Sequence, residues 1–495
     1  MTLSPLWRTR FFAAGAAVLA VWLGVDLAYR EFVFPGLCAG ALAIFLLARF
    51  QPLPIEALLT GIAMAGYVIG NRGFAQISLA GHFPLLPGEA VLVLGGAILL
   101  VRTAWRRELP FRRDPLNLLL LAWMTFGALR LLVDVHHYGF LALRDFALVY
   151  YAAYFFLGQE IANDARAARF CENILLASCV IMLPLYVLTH EIPIFFLTEL
   201  TVQGEPVIYY KDDLAGLFLM IGSVLAFLRF EERRRWWSLV ISPVLAGSAL
   251  TLANRAAMLA LATATLWLLL GRRWRFAAML SGSGIMAIVV ILAGASALRI
   301  PWERTPVLGV YEGLVSLTDP TGARQYKGSE TFNKGDNNRF RWVWWHAVVD
   351  ETVEADPYFG LGFGADLASR FAQEYYPEGS DEFPTRSPHN VLLTIFARLG
   401  AVGLIAFLGV VAIVTRETWQ AVRAGPRLAA PWCAVWAIFT SACLGVVLEG
   451  PMGAVIFWTI LGLAHRSLQQ HRAGIAAAAE PPVDAPALAE APVQP

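Results

Sequence analysis

His389 is the side chain of this 495-residue chain best placed to do chemistry. It stands in Ser387-Pro388-His389-Asn390, where the one long polar segment runs into an apolar stretch carrying Gly400 and Gly403. That puts a titratable imidazole where water meets bilayer, and a neutral histidine with a pKa near ~6.5 can take a proton at neutral pH. Two arginines stand at similar borders: Arg255, beside Asn254 between two apolar windows, and Arg341, inside the polar segment. A guanidinium is planar, stays charged and can pair two phosphate oxygens at once. Each residue also has a plainer reading. His389 could be a hydrogen-bonded residue at a helix start with Ser387 as the cap, and Arg255 could snorkel to lipid headgroups. Arg341 could be the solvated side of an interfacial helix, with Arg339 able to take its place.

The elements that must hold these groups are membrane helices. Hydrophobic residues make up 58% of the chain and charged residues 15%, with a mean hydropathy of +0.59, far from the soluble balance. Apolar windows long enough to span recur from residue 11 to residue 466, which predicts an all-α polytopic membrane protein with about 12–14 transmembrane helices. The net charge of +1 is uninformative, but its distribution is not. Arg102 to Arg113, Arg229 to Arg235, Arg272 to Arg275 and Arg416 to Arg427 fall in alternate connections, which the positive-inside rule puts in the cytoplasm together with both termini. The apolar run after Arg10 reads as a retained first helix, not a cleaved signal. The five cysteines, Cys38, Cys171, Cys179, Cys433 and Cys443, all fall inside expected spans, and no zinc spacing exists.

The resulting organisation is an N-terminal bundle over 1–297, one large periplasmic loop over 298–388, C-terminal helices over 389–466 and a disordered cytoplasmic tail over 467–495. Within the loop, Phe340, Val343, Trp344, Ala347 and Val348 repeat with helical spacing, predicting a helix over 338–353 with one face on something apolar. Trp342, Trp344 and Trp345 suit a membrane interface. Asp356-Pro357 should end that helix, and Gly360-Leu361-Gly362-Phe363-Gly364 should turn the chain tightly before a short helix near 365–375. The glycine run is no dinucleotide fingerprint, because a helix precedes it and the last spacing is missing. Lys211, Arg144, Arg386 and Arg398 also reach the outer side and are candidates for lipid phosphate or glycan. His136 and His137 with Asp134 could touch metal or simply be solvated. Asp350, Glu351, Glu354 and Asp356 lack calcium-loop spacing and read as the polar face of the helix.

Three motifs together resemble the bacterial O-antigen ligase and polymerase superfamily. His389-Asn390, nine residues, then Gly400-Ala401-Val402-Gly403 is similar to its His, Asn/Ser/Gln, nine residues, Gly-x-x-Gly motif. Arg255-Ala256-Ala257-Met258-Leu259 is similar to Arg-x-x-x-Leu, and Arg341, Trp345 and Pro357-Tyr358-Phe359-Gly360-Leu361-Gly362 are similar to the Arg, Trp and Pro-Leu-Phe-Gly-x-Gly series. The chain departs from the longer ligase motif in carrying Leu404-Ile405-Ala406 where that motif has Thr-x-Trp.

The resemblance implies a helical membrane glycosyltransferase in the bacterial inner membrane, with the outer loop covering a cleft between spans. Its donor would be a glycan on undecaprenyl diphosphate, and its acceptor lipid A-core for a ligase or a growing glycan for a polymerase. A sugar diphosphate already has a good leaving group, so no carboxylate pair of the glycosidase kind is needed. His389 would be the base, Arg255 and Arg341 the diphosphate clamp, and Asn390, Arg339, Arg144, Lys211 and Arg386 further contacts. Neither metal, cofactor nor nucleic acid is expected. Buried acids such as Glu89, Asp145, Glu160 and Glu449 keep a transporter of polysaccharide or lipid as the rival, although transporters place substrate near the midplane of repeats and no internal repeat is present.

Overall fold

The computed structural model describes residues 53–78, 85–324, 326, 334–375 and 386–479. The first two expected spans, near 11–28 and 32–48, lie outside these residues, as does 480–495. The fold is all-α and polytopic. In chain order the helices are α1 (Ile55–Ile69), α2 (Pro87–Arg106), α3 (Pro115–Tyr138), the segmented α4 (Phe140–Ile161), α5 (Ala165–Glu191), α6 (Asp212–Arg233), α7 (Trp236–Thr251), α8 (Arg255–Leu270) and α9 (Trp274–Ala297). They continue with α10 (Pro306–Ser316), α11 (Lys334–Ala355), α12 (Ser369–Tyr375), α13 (Val391–Ala424), α14 (Pro426–Ala442) and α15 (Pro451–Ala479). A two-stranded hairpin, Thr201–Val202 against Glu205–Pro206, precedes α6.

Seven of these, α2 to α6, α9 and α13, are long and apolar enough to cross a membrane, while α1, α7 and α8 are apolar but shorter. Each apolar window expected from residue 53 onward has become a helix. Starts are set locally: proline at the first turn of α2, α3, α10 and α14 fixes φ without losing a needed donor, and Asp114 and Asp164 cap α3 and α5. The centre is α6, with 83% of its apolar window buried among α5, α7, α8 and α14, whereas α9 buries only 6% and faces outward.

α13 is broken at Gly400, where φ is 63° and ψ −166°. The break separates Ala397 O from Ala401 N–H, which an unbroken helix would pair. The loop after α11 supplies both missing partners: Leu361 N–H donates to Ala397 O at 2.6 Å and Ala401 N–H donates to Pro357 O at 2.9 Å. A Cβ on Gly400 would stand 2.2 Å from Tyr358 backbone, and one on Gly360 2.6 Å from Ala397 O. The glycines of the two motifs are therefore one joint, in which two backbones meet without side chains and leave no stranded polar group in an apolar layer.

Two ion pairs lock that joint. Arg130 pairs with Asp134 at 3.1 Å and donates to Gly360 O at 3.2 Å, while Asp134 accepts from Phe363 N–H at 2.7 Å. Arg398 pairs with Asp145 at 2.7 Å and donates to Gly362 O and Ala365 O, and Asp145 accepts from Gly364 N–H at 3.0 Å.

Three expectations need adjusting. The tryptophans of α11 divide: Trp342 is exposed, but Trp344 is fully buried against Val348, Leu367 and Phe371. The helical period turns residues 344, 347 and 348 to one face, away from 342. His136 and His137, which the window boundaries put in a short outer loop, end α3 instead. The stretch expected as tail from 467 begins as helix, because α15 runs to Ala479; alanine favours helix, and Gln469 and Gln470 bond to Asp114 and to Ala162 O.

Candidate active site

The end of the bundle that carries the glycine joint also carries His389. Its position is built from both sides. Asn390, not Ser387, caps α13, its Oδ1 accepting from Leu392 N–H at 3.0 Å and Leu393 N–H at 3.3 Å; an amide one residue after the histidine meets the exposed N–H groups directly. From α11, Trp345 Nε1 donates to Pro388 O at 2.7 Å, and the Trp344 ring meets the imidazole edge-on at 5.8 Å between centroids. From behind, Glu449 accepts from Thr394 Oγ1 at 3.0 Å, one turn into α13. His389 itself has φ of 55°, the left-handed region that non-glycine residues seldom occupy. Its neighbours must hold it there, so the loop is built around this conformation.

Arg341 projects from α11 and donates to Leu444 O at 2.8 Å, in the non-helical stretch between α14 and α15. Burial and then the charge of Arg255 push its guanidinium down to about 10, with Asp213 pulling the other way, so it stays protonated at neutral pH. Arg255 opens α8, which Asn254 caps through Ala257 N–H at 3.2 Å. Its guanidinium donates to Asn338 Oδ1. Asn338 is held in turn, donating to Ser316 O at 2.9 Å and Asp319 O at 2.6 Å. Lys211 stands just before α6 and pairs with Asp213 at 3.0 Å; its backbone N–H donates to Asn71 Oδ1 at 3.1 Å. Burial, followed by the charges of Arg341 and Lys211, pushes the His389 imidazole down to about 4, with Asp213 opposing.

Four segments distant in sequence therefore meet: 211–213, 255, 338–345 and 386–390. The structure brings His389, Arg341, Arg255 and Lys211 into one electrostatic neighbourhood. Arg339 is two residues along α11, about 200° round the helix, and is exposed with its guanidinium on Gly322 O at 3.0 Å. Arg386 donates to Gly364 O at 2.6 Å and so joins the glycine loop. Arg144 is exposed. The His136, His137 and Asp134 triplet does not converge, since Asp134 is turned to Arg130 and Phe363 while the two imidazoles are exposed. Among the described residues, no group of three or more His, Cys, Asp or Glu is placed to hold a metal ion.

Residues 244–408 match the O-antigen ligase family model. The matched segment includes Arg255, Arg341, Trp345, His389, Gly400 and Gly403, and it supports the O-antigen ligase and polymerase superfamily to which the motifs pointed. With the apolar helices, the match supports a multi-pass membrane protein of the membrane glycosyltransferase type. No curated protein matches the chain.

The matched segment does not contain the whole candidate site. Lys211, Asp213, Leu444 and Glu449 stand outside it, and sequence reading missed the roles of all but Lys211. Asp213 was visible as part of Lys211-Asp212-Asp213 at a helix start. Asn338 stands three residues before Arg341, on the same face of α11. Leu444 contributes only a carbonyl and leaves no signature.

Proposed function

We propose that this chain transfers a glycan from undecaprenyl diphosphate to an acceptor hydroxyl at the periplasmic face of the bacterial inner membrane, as an O-antigen ligase whose acceptor is lipid A-core. One observation carries the reading: Arg341 and Lys211 bear on His389, Arg255 bears on Arg341, and Asp213 is the carboxylate that opposes them at His389 and Arg341. A partly buried site with surplus positive charge stabilises an anion, and a diphosphate supplies several negative charges at the required place.

The step is a single displacement. The acceptor oxygen attacks the anomeric carbon while the bond from that carbon to the diphosphate oxygen breaks; the electron pair leaves with the diphosphate, and His389 takes the hydroxyl proton. Attack opposite the leaving group inverts the anomeric centre. Fixed guanidinium groups stabilise the charge developing on the leaving group without reorganising, so the reaction proceeds without a divalent metal. The lowered pKa keeps His389 neutral but makes it a weak base. Diphosphate binding offsets the positive charges responsible for part of that lowering, so donor binding itself strengthens the base.

The connections rich in arginine, at the end of the bundle remote from this cluster, support the orientation with both termini cytoplasmic. In a background lacking the five native cysteines, Glu303→Cys should react with an impermeant maleimide from the periplasm and Arg234→Cys should not; the reverse pattern defeats the compartment. Leu404-Ile405-Ala406, in place of Thr-x-Trp, favours a second reading as polymerase. The two separate in cells carrying His389→Ala: a disabled ligase leaves lipopolysaccharide without long chains, and a disabled polymerase leaves single repeat units. Purified protein should transfer glycan in excess EDTA. Restoration by magnesium or manganese only would move the chemistry to a metal site.

A further inference from the structure

We propose that a lateral cavity between α2, α3 and α4 binds an anionic phospholipid, with one acyl chain inside and the phosphate on the arginines at its rim. The cavity measures about 300 Å³ and is walled by Leu99, Pro110, Phe111, Met124, Phe156 and Leu157. Its mouth faces sideways out of the bundle: Leu100, also in the wall, is 58% exposed, and a side chain at Gly96 would meet nothing within 4 Å. Among the described residues no helix covers this mouth, and the medium beside an uncovered mouth in a spanning bundle is hydrocarbon. A void left empty there forfeits the dispersion contacts of its walls, and a lipid chain restores them at no polar cost.

The head group is indicated by the connection that closes the cavity. Pro110 and Phe111 belong to the segment joining α2 to α3, which also carries Arg107, Glu108, Arg112, Arg113 and Asp114, with Arg106 ending α2 beside it. Arg112 donates to Asn163 Oδ1 at 3.1 Å. The guanidinium groups of Arg106, Arg107 and Arg113 are exposed and make no hydrogen bond or ion pair among the described residues. Trp105, 89% exposed, marks the interfacial level of this turn. Three uncommitted guanidinium groups against the exposed carboxylate of Glu108, with Asp114 already bonded to Asn117 and Gln469, complement one phosphate above one hydrocarbon chain at the mouth of an apolar slot. The glycan-transfer cluster is at the other end of the bundle, so this site stands independently of the proposed function.

The test is native mass spectrometry of the delipidated full chain titrated with phosphatidylglycerol or, separately, phosphatidylcholine of the same acyl chains. One phosphatidylglycerol should be retained at roughly tenfold lower concentration than phosphatidylcholine. Arg106→Gln/Arg107→Gln/Arg113→Gln should remove that preference while still retaining lipid, and Gly96→Phe, which places a ring in the mouth, should lower retention of both lipids. Leu100→Trp is the second block should Gly96→Phe prove unstable. Equal retention of the two lipids by the unaltered protein overturns the proposal, as does unchanged retention in a folded blocking variant.

Discussion

Arg398 and Arg341 stand at the same end of the bundle and meet opposite fates. Arg398, with Arg130, belongs to a closed set: each guanidinium has its own aspartate, and the remaining donors are used on carbonyls of the glycine loop. Arg341 belongs to an open set: its guanidinium is held by the neutral acceptor Leu444 O, and the carboxylate that acts on it, Asp213, is already paired with Lys211. A neutralised arginine can only hold things together. One held by neutral groups keeps its charge for something that arrives. The same residue type thus serves as architecture or as anion site according to whether a carboxylate was built beside it.

The sharpest way to break this comparison is to remove the chemistry and leave the architecture. His389→Ala should lower turnover by ~10² to 10⁴-fold, and Arg341→Ala by ~10² to 10³-fold, with thermal unfolding of both variants close to that of the unaltered protein. A drop of only twofold in either would move the reaction elsewhere.

The converse change should spare the chemistry and damage the fold. Arg398→Ala leaves the half-buried Asp145 carboxylate with only the Gly364 N–H, at a cost of ~3 kcal/mol, the low end for a buried pair, read as lost folded yield or a lowered melting temperature. Arg398→Leu combined with Asp145→Leu should recover part of the loss. If Arg398→Ala is as stable as the parent but inactive, Arg398 belongs with the open set.

A finer test keeps charge constant. Arg255→Lys should lose most activity, because an ammonium cannot reproduce the planar fork, whereas Arg339→Ala should cost little, its guanidinium being committed to Gly322 O. Full activity of Arg255→Lys at normal protein levels would make Arg255 a lipid anchor.

The smallest effect is a pH difference. His389 must be neutral to accept a proton, so activity rises with pH through its pKa and then levels off. For the free protein, read in kcat/KM, the midpoint should fall near 4. With donor bound, read in kcat, the diphosphate offsets Arg341 and Lys211, and the midpoint should move up toward ~6.5. Coincident limbs would show that the cations do not act on the imidazole through the donor.

Much of this was legible beforehand because it is local. The helix expected over 338–353 is α11, and its apolar stripe is the face buried against Leu367 and Phe371. The glycine turn follows it, with Gly360, Gly362 and Gly364 all at positive φ. The cap of α13 is Asn390 where the sequence also allows Ser387, since both are good caps and only the path of the chain decides between them. Arg339 and Arg341 could not be separated in the sequence either; the helix turns one toward Gly322 and the other toward Arg255.

Composition and spacing by themselves determined that the chain is a series of apolar helices with one polar excursion, and that a histidine, two arginines and a set of glycines recur at a family's spacing. Those properties follow from chain-local physics, in which hydropathy over some 20 residues specifies a span and glycine permits positive φ. Arg130 finds Asp134 one turn along α3, which helical spacing encodes, but tertiary structure alone decided which arginines found carboxylates on other helices. Asp145 reaches Arg398 and Asp134 reaches Phe363 across more than 200 residues of chain, and Asp213 is the carboxylate left facing Lys211, Arg341 and His389. Ion pairing depends on distances of a few ångströms between helices, and no periodicity in the sequence encodes them.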